Sequence, residues 1–600
     1  MKKTMKLTLL VCLALIACML MFTACGGDSE SQLPSDMTNG SSKDESEAHV
    51  HSFGEWTTVK EATCSRKGEQ ERTCACGEKE TQSVEALEHT KETIPAIEPT
   101  KLKEGLTEGS KCSVCQKILV EQEKVPPLGP PTDVWNGSIA TEFAGGSGTE
   151  SDPYLISTGA QLAFLAKSVN SSKDNAYYNK YYKLTNSIDL KGQEWDPIGS
   201  YSDKEITKAF QGFFDGDGYE VRNFKISKSK SPYYYGLFGK ASNGDIRNLG
   251  VTDFTINVSG QNLSCAGGIA GSSASPITNC YTDGIVNLTV KKEGKEEDVF
   301  AFVGGLIGDA SGTLTNCYTK SSVIATIKVE YGRAECSGDL FVGGLVGRNY
   351  EGAITSCYAL GDVTATVKSD DAYAYTYAGG LVGYVRDGMI SKSYATGNVS
   401  ANSSITGYEF AYAYAGGLVG DSFGSIENCY ATGDATAIAS GKNSYMRHSY
   451  AGGLVGRITS ETITNCYATG NISANATGPH RDGISLSGGL VGYAEKTTTK
   501  NSYATGNVTC LVSGSSPYGR AGSFMGNSAS GTITNYYHYE KQIVKLNNET
   551  IKSTANTACT QEQLNDATFY TGTLGWDGSI WNFSDLDFAK HKTPLLNLGQ

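Results

Sequence analysis

Residues 373–383 read Tyr-Ala-Tyr-Thr-Tyr-Ala-Gly-Gly-Leu-Val-Gly, and this stretch decides the fold. Large and small side chains alternate through its first half, and a period of two is typical of a β-strand. The adjacent Gly379 and Gly380 disfavour a helix, because each glycine costs about 1 kcal/mol in a helix interior. Residues 410–414 repeat the alternation as Phe-Ala-Tyr-Ala-Tyr, and Gly416 and Gly417 follow. The unit is therefore predicted to consist of β-strands joined by glycine turns.

Paired glycines recur along the chain at a nearly constant interval. They begin at positions 267, 304, 343, 379, 416, 452 and 488, and Gly522-Ser523 is an eighth, altered copy. Most copies carry two further motifs after the glycines, exemplified by residues 428–430 (Asn-Cys-Tyr) and 431–434 (Ala-Thr-Gly-Asp). A fixed period of this length predicts a solenoid in which each unit stacks on its neighbours. Together with the crossover rule, it predicts an all-β, right-handed parallel β-helix of about eight rungs.

These motifs resemble the GLUG-motif repeat family of bacterial surface proteins, which takes its name from the same glycine-rich signature. The repeats cover residues 251–540, and flanking motifs such as residues 195–199 (Trp-Asp-Pro-Ile-Gly) extend the resemblance to residues 135–600. The resemblance implies a bacterial, extracellular, cell-surface protein with an adhesin-like role. The family also occurs as a non-catalytic region of IgA-cleaving metallopeptidases.

The two ends of a β-helix expose unpaired strand edges, so caps are expected at both. Residues 130–250 are assigned to an N-terminal cap and the first rungs, with a helix over Gln161–Val169 covering the first rung. Residues 541–600 are assigned to a C-terminal cap, in which Gln561–Phe569, followed by Trp576 and Trp581, covers the last rung.

Stacking turns equivalent positions of the repeats into rows. The Cys row (280, 317, 357, 429 and 466) is interrupted by Ser393 and Ser502, which predicts a small buried position rather than a metal site. The Asn row (279, 316, 428, 465 and 501) is predicted to satisfy turn amides. The Asp/Asn row after glycine (362, 398, 434, 471 and 507) is predicted to mark turns with positive φ.

The composition of the 600 residues narrows the class of protein. The apolar share is ordinary for a globular chain, which excludes a largely disordered protein. The formal net charge is −13, and removing Lys2, Lys3 and Lys6 with a leader makes it more negative. A surface this acidic argues against nucleic acid as a partner.

The first 24 residues have the pattern of an export signal. Three lysines precede an apolar stretch over residues 7–22, and small residues precede Cys25. This resembles a bacterial lipoprotein signal peptide over residues 1–24, with Cys25 as the lipidated residue. The alternative is an uncleaved membrane anchor. Residues 25–48 are polar and are predicted to form a disordered tether.

Residues 49–129 contain a duplicated Cys/His module that resembles ribbon-like repeats of Gram-positive surface proteins. Their pattern of one His, one Cys and a C-x-x-C pair suits tetrahedral zinc. The first copy offers His51, Cys64, Cys74 and Cys76, and the second copy offers a degenerate set of His89, Cys112 and Cys115, with Lys101 in place of its first Cys. A disulfide is the competing interpretation, because an exported chain meets oxidant. A structural zinc ion is the only cofactor that the sequence indicates.

An aromatic row provides the candidate ligand-binding site. Its members precede the paired glycines by two or four residues, and they are Phe300, Phe302, Phe341, Tyr375, Tyr377, Tyr412, Tyr414 and Tyr450. If these rings point outward, their flat faces suit sugar rings. If they point inward, they form an ordinary core. Strand parity favours the interior, because it places the rings on the same side as the leucine after the glycines.

The sequence favours a binding protein over an enzyme. It contains no H-E-x-x-H, G-x-S-x-G or P-loop motif, and its best acidic pair, Asp215 and Asp217, lies in an Asp-Gly turn pattern. We therefore expect a lipid-anchored, cell-surface, adhesin-like protein that binds an extracellular glycan or a host or matrix protein. The alternatives are a polysaccharide lyase or hydrolase built on the same fold, and a passive surface spacer.

Overall fold

The computed structural model describes residues 51–97, 105–125, 133–171, 177–199, 208–227, 233–260, 262–293, 297–330, 336–479, 482–552 and 557–598. Strands account for 55% of the chain and helices for 5%, which confirms the all-β prediction. The predicted signal peptide, Cys25 and the tether lie outside the described residues. No described helix has the length and apolar character needed to cross a membrane.

The described residues form two compact units, and the smaller comprises residues 51–94 and 109–121. It contains two antiparallel sheets, one of Thr57–Lys60, Gly68–Thr73 and Lys79–Val84, and one of Lys91–Ile94, Gly109–Cys112 and Ile118–Val120. Among its described residues the buried apolar side chains are those of Cys64, Cys74 and Cys112. So small a core supplies little folding free energy, and domains of this size usually need a disulfide or a metal.

The larger unit comprises residues 95–108 and 122 onward, and most of it is a parallel β-solenoid of about ten turns. The sequence predicted about eight. The difference arises at the N-terminal end, where turns without paired glycines already stack in parallel, for example Tyr154–Ile156 on Tyr181–Leu184 and that strand on Phe213–Asp215. The right-handed winding remains a prediction from the crossover rule.

Three sheets run along the solenoid. The first sheet contains Tyr234–Tyr235, Leu263–Ala266, Val299–Gly304, Ser337–Gly343, Tyr373–Gly379, Phe410–Gly416, Met446–Gly452, Asp482–Gly488 and Tyr518–Gly522. The second sheet contains Phe238–Ala241, Ala270–Ser273, Ile307–Ala310, Val346–Asn349, Val382–Val385, Val419–Ser422, Val455–Thr459, Val491–Glu495 and Met525–Ser528.

The third sheet has 31 strands and closes each turn. Its longer strands in the repeats are Gly250–Gly260, Tyr281–Glu293, Ser322–Glu330, Val363–Ser369, Val399–Ile405, Ala435–Gly441, Ile472–Thr477 and Thr497–Ala504. Its shorter strands there are Asp245–Arg247, Ile277–Thr278, Leu314–Thr315, Tyr318–Thr319, Ile354–Thr355, Tyr358–Ala359, Met389–Ser391, Tyr394–Ala395, Ser425–Glu427, Tyr430–Ala431, Thr462–Thr464, Tyr467–Ala468 and Val508–Val512. Before the repeats lie Asp133–Val134, Tyr154–Ile156, Tyr181–Leu184, Ile188–Glu194, Phe213–Asp215 and Glu220–Ile226, and after them Gly531–Tyr539, Val544–Leu546, Glu549–Thr550 and Ala558–Cys559.

Small and branched side chains fill the interior of the solenoid. The row of Cys280, Cys317, Cys357, Ser393, Cys429, Cys466 and Ser502 is fully buried. Ser393 Oγ donates to the Ser391 carbonyl at 2.7 Å and accepts from the Cys357 amide at 3.1 Å, so a small polar atom suits the position. The prediction of a small buried position is confirmed for this row.

The two polar rows differ from each other in backbone geometry. Asn279, Asn316, Asn428, Asn465 and Asn501 all have left-handed φ values between 52° and 55°, and their side-chain amides bond from rung to rung, as between Asn501 and Asn465 at 3.1 Å. The Asp/Asn row after glycine does not have positive φ, so that prediction was wrong. Its side chains accept from the amide one rung on, as Asp434 Oδ1 does from the Asn471 amide at 2.7 Å.

A helix lies beside the first turns of the solenoid, and a folded C-terminal segment packs on its side. The helix Gly159–Ser171 buries Leu162 and Leu165 against the core beside the first turns. The C-terminal segment begins with the short helix Gln561–Leu564, continues through a π-turn at Phe569–Thr573 and a 3-10 turn at Phe588–Lys590, and pairs Trp581–Asn582 with Leu595–Leu596.

A row of stacked tyrosines on the third sheet receives this C-terminal segment. The row is Tyr281, Tyr318, Tyr358, Tyr394, Tyr430, Tyr467 and Tyr503, with ring centroids 4.7 to 5.0 Å apart. Trp576 lies 6.1 Å from the Tyr467 ring, and Trp581 lies 5.9 Å from the same ring. The two tryptophans thus cover the side of the solenoid and not its last rung, which corrects the sequence prediction.

Candidate functional site

The aromatic side chains of the first sheet lie on the outside of the solenoid. In the strand Tyr373–Gly379, Ala374, Thr376 and Ala378 are fully buried, while the tyrosines between them are partly exposed. Strand alternation from the buried Leu381 had predicted that the aromatic rings point into the interior. The chain bends between the strands ending at Gly379 and starting at Val382, so alternation does not continue through the turn.

We define the aromatic face as the three outward rows of the first sheet. The inner row, nearest the paired glycines, is Cys265, Phe302, Phe341, Tyr377, Tyr414, Tyr450, Leu486 and Arg520. The middle row is Leu263, Phe300, Asp339, Tyr375, Tyr412, His448, Ile484 and Tyr518. The outer row is Ser337, Tyr373, Phe410, Met446 and Asp482.

The rings of the aromatic face stack on one another along the solenoid. Tyr375 and Tyr412 are 4.7 Å apart with planes 7° apart, and Tyr377 and Tyr414 are 4.9 Å apart at 6°. Because neighbouring rings occupy each other's faces, most of them present only edges and hydroxyl groups to solvent. The expectation that each flat face is available to a sugar ring is therefore wrong for the stacked rings.

One gap interrupts the stacking in the middle row. Asp339 pairs in register with Phe300 on one side and Tyr375 on the other, so those two rings stand two rungs apart. Two rungs correspond to about 9.6 Å. A flat group in van der Waals contact with both rings needs about 7 to 8 Å. We call this position, formed by Phe300, Ser337, Asp339 and Tyr375, the notch. The partly buried Asp339 side chain stands there between the two rings.

The second sheet covers the inner row with charged and aromatic side chains. Arg348 lies 3.9 Å from the Phe302 ring centre and Arg457 lies 5.0 Å from that of Tyr414. Of the predicted residues, Phe302, Phe341, Tyr414 and Tyr450 are consequently buried, and Phe300, Tyr375, Tyr377 and Tyr412 are partly exposed. The accessible part of the aromatic face is its middle and outer rows.

Burial sets the charge of the two titratable groups in the middle row. It raises the pKa of Asp339 to about 6, against a hydrogen bond from the Ser337 hydroxyl that lowers it. Burial lowers the pKa of His448 to about 4, and the ring nitrogen Nδ1 lies 3.1 Å from the Tyr450 hydroxyl. At neutral pH His448 is therefore neutral, and Asp339 carries a carboxylate at the notch. Asp298, which accepts from the Ser337 amide at 2.8 Å, lies beside it.

The acidic pair Asp215 and Asp217 is held in a turn. Asp215 accepts from the Asp217 amide at 2.9 Å, the Asn248 side chain at 3.0 Å and Arg247 Nε at 3.0 Å, and its pKa is lowered because these hydrogen bonds and the Arg247 charge outweigh burial. Asp217 forms an ion pair with Lys183 at 3.1 Å. Both carboxylates are thus engaged by the turn and by cations. Arg247 also donates to Asp245 at 3.2 Å, and burial raises the pKa of that carboxyl.

The Cys and His side chains of the small unit form two groups whose members differ from the predicted sets. Cys64 lies with His89, Cys112 and Cys115, and not with the ligands of its own copy. The second group contains only His51, Cys74 and Cys76. The four-ligand set predicted for copy one is thus not brought together, and the three-ligand set predicted for copy two gains a fourth member.

Comparison with known proteins agrees with this architecture. Residues 342–364, 374–400, 411–436, 448–473 and 483–509 each match the GLUG motif. The solenoid contains GLUG-motif repeats. The chain is 34% identical over 141 residues to a protein described as a Gly-rich membrane protein of Evansella cellulosilytica, and 30% identical over 161 residues to halomucin of Haloquadratum walsbyi. These matches cover 23% and 25% of this chain but only 15% and 2% of the two relatives.

Two solved structures also align with the repeats. One is a candidate immunoglobulin A1 protease from Bacteroides ovatus, with a TM-score of 0.26 and 22% identity over 76% of this chain and 96% of that one. The other is an IgA1 protease, with a TM-score of 0.27 and 14% identity over 82% of this chain and 28% of that one. Scores this low support no functional argument.

Sequence reasoning missed part of the aromatic face. Tyr373 and Phe410 belong to the same alternation as the predicted rings, so extending that pattern by two residues would have found them. The row of the second sheet that includes Asp309, Arg348 and Tyr384 recurs five residues after the first glycine of each pair. The sequence shows this spacing, but it does not show that the side chains of this row contact those of the first sheet.

Proposed function

We propose that this protein is a bacterial cell-surface binding protein whose aromatic face binds an extracellular glycan. The notch supports this proposal most directly, because Asp339 replaces a ring there and leaves Phe300 and Tyr375 facing each other across one rung. A sugar ring between Phe300 and Tyr375 would pack its apolar C–H surface on both rings, and the Asp339 carboxylate would accept from its hydroxyl groups. Tyrosine hydroxyls along the middle and outer rows would bond to neighbouring sugar units.

The location at the cell surface is part of the proposal. Lys2, Lys3, Lys6 and Cys25 have the pattern of a lipoprotein signal. One partial relative is described as a membrane protein, which supports an extracytoplasmic role for the shared repeats. We propose that a lipid on Cys25 holds the chain at the membrane and that the solenoid is exposed outside.

We propose that the protein binds its ligand without cleaving it. Asp215 and Asp217, the best acidic pair, are engaged in a turn and in ion pairs. The stacked rings and the notch suit retention of a polymer, because many weak contacts along the solenoid add up over neighbouring sugar units.

The test measures retention and cleavage in the same tubes. The full-length protein is incubated with a panel of cell-wall, plant and host polysaccharides and with matrix proteins, and both bound ligand and new reducing or unsaturated chain ends are recorded. Retention of a polysaccharide without new ends is the expected result. New chain ends would establish an enzyme, retention of matrix proteins alone would replace the glycan by a protein ligand, and no retention at all would favour a spacer; each would overturn the proposal.

A further inference from the structure

The loop that carries Cys64 brings a thiol of the first Cys/His copy to the second. The amides of Thr63 and Arg66 bond to each other's carbonyls at 2.9 and 3.2 Å, which closes a tight turn around Cys64. Cys64 Sγ then lies 3.7 Å from Cys112 Sγ. On the other side of the group, Cys115 Sγ lies 3.5 Å from His89 Nδ1.

These separations match the edges of a zinc coordination tetrahedron. With Zn–S bonds of about 2.3 Å and a Zn–N bond of about 2.05 Å, a regular tetrahedron places two sulfurs about 3.8 Å apart and a sulfur about 3.6 Å from a nitrogen. The four ligand atoms all lie within 4.8 Å of one another. A disulfide between Cys64 and Cys112 would need a sulfur separation of about 2.05 Å.

We infer that Cys64, His89, Cys112 and Cys115 form one closed structural zinc site, in which the first copy supplies the fourth ligand to the second. The inference is independent of the proposed function of the solenoid. A site with four protein ligands leaves no open position for substrate, so its role is to hold the two copies together.

The backbone around Cys112 is arranged as a metal-binding turn. The Cys112 amide donates to the Lys117 carbonyl at 2.9 Å, the Gln116 amide donates to the Cys112 carbonyl at 2.9 Å, and Gln116 has a left-handed φ of 61°. This turn brings Cys115 back beside Cys112, so that both sulfurs of the C-x-x-C pair can bind one metal ion.

Sharing a ligand between copies also explains two irregularities of the sequence. Lys101 stands where the second copy should carry the equivalent of Cys64, but no third copy follows that would use such a cysteine. The first copy receives no ligand from a preceding one among the described residues, so His51, Cys74 and Cys76 remain a set of three. Both His51 and Cys76 are exposed, which predicts weaker metal binding there.

The zinc site also supplies what the small unit lacks. Its buried apolar side chains among the described residues are three cysteines, and two of them are proposed ligands. Zinc binding would therefore provide folding free energy that the core cannot provide.

The experiment removes the second group first, so that one site is observed at a time. The full-length protein with His51→Ala, Cys74→Ser and Cys76→Ser is the reference, and Cys64→Ser is added to it. Zinc content after dialysis against a moderate chelator is measured, together with the visible and sulfur-to-metal absorption of the cobalt-substituted protein. The matched control adds Cys265→Ser, which removes a cysteine of the solenoid instead.

The reference and the control are expected to retain one zinc ion and to show tetrahedral cobalt with three thiolate ligands. The Cys64→Ser variant should lose the zinc and about a third of the thiolate absorption. Full retention of zinc and an unchanged spectrum in that variant would overturn the shared site. A mass two hydrogens lower than the reduced chain, with Cys64 joined to Cys112 in a non-reducing digest, would overturn it in favour of a disulfide.

Discussion

The buried ion pair between Asp421 and Arg457 offers a sharp test of how the second sheet supports the aromatic face. Arg457 Nε and Nη2 donate to the two carboxylate oxygens of Asp421 at 2.9 and 2.6 Å. The Asp421 side chain is 0% exposed. Burial raises the pKa of Asp421 against the opposing effect of Arg457, and the Asp421 charge raises the pKa of Arg457 although burial lowers it. Each charge therefore depends on the other.

Arg457→Ala leaves the buried Asp421 carboxylate without its partner. Breaking a buried pair by removing one partner costs about 3 to 5 kcal/mol. The same row offers a matched control in Arg348, which donates to Asp309 in the same two-point manner at 2.8 and 3.0 Å. The Asp309 side chain is 22% exposed, so water can replace the lost guanidinium, and Arg348→Ala should cost about 1 kcal/mol.

Amide hydrogen exchange is the appropriate assay, because a long solenoid opens locally and its global unfolding is not two-state. Exchange of the amides in Val419–Ser422 and Val455–Thr459 should accelerate by a factor of roughly 100 to 4000 in Arg457→Ala, since each 1.4 kcal/mol is tenfold. Arg348→Ala should change exchange of its own rung by about tenfold or less. Adding Asp421→Asn to Arg457→Ala should recover most of the loss. Equal effects of the two arginine variants, or no recovery in the double variant, would refute the reasoning.

Three further outcomes follow from the rungs themselves. Gly470→Ala should prevent stable stacking, because the new Cβ would lie 1.9 Å from the Gly433 carbonyl oxygen, whereas Gly578→Ala meets nothing within 4 Å and should leave the thermal unfolding unchanged. Cys357→Ser should cost under about 1 kcal/mol in local exchange, since serine already occupies this row, whereas Cys357→Leu should cost about 1 to 3 kcal/mol by overpacking. Folding raises the pKa of Asp339 from 3.8 to about 6. Between these two pH values the folded protein holds a proton that the unfolded chain has released. The free energy of unfolding should therefore fall by up to about 3 kcal/mol as the pH rises from 4 to 7. Asp339→Asn should remove that pH dependence, measured as the protection of the amides in Ser337–Gly343 against hydrogen exchange. An unchanged dependence in the variant would show that the Asp339 carboxyl is not its source.

The repeating part of the fold could be predicted because each rung is specified locally. The alternation in residues 373–377 and the paired glycines repeat often enough to establish strands, period and parallel stacking. The turns before Gly267 carry no such signature. They stack because their strands are in register with the strands of the following rungs. Such pairing is a long-range property, and the sequence estimate of about eight turns was therefore too low.

Side-chain direction was harder to predict because it depends on the turn between two strands. The burial of Leu381 was anticipated, but its relation to Tyr377 was not, since the bend after Gly379 breaks the period of two. The same limit applies to Trp576 and Trp581, whose apolar character predicted burial without specifying the stacked tyrosines as their partner.

The ligand groups of the small unit show the same difference between local and long-range information. Spacing within the sequence identified every member of the Cys64 group. It assigned Cys64 to the wrong copy, because a repeat suggests that each copy is self-contained. The exchange of a ligand between copies depends on how the two hairpins pack, which spacing alone does not encode.

The notch is the central claim, and the affinity of a retained polysaccharide for one variant tests it most directly. Tyr375→Ala removes one wall of the notch, and Tyr318→Ala is the matched control, because Tyr318 also stacks on neighbouring tyrosines but lies on the third sheet. Loss of one stacking ring is worth about 1 to 2 kcal/mol, so the dissociation constant should rise about tenfold in Tyr375→Ala and remain unchanged in Tyr318→Ala. An unchanged affinity in Tyr375→Ala, or an equal loss in both variants, would contradict the account.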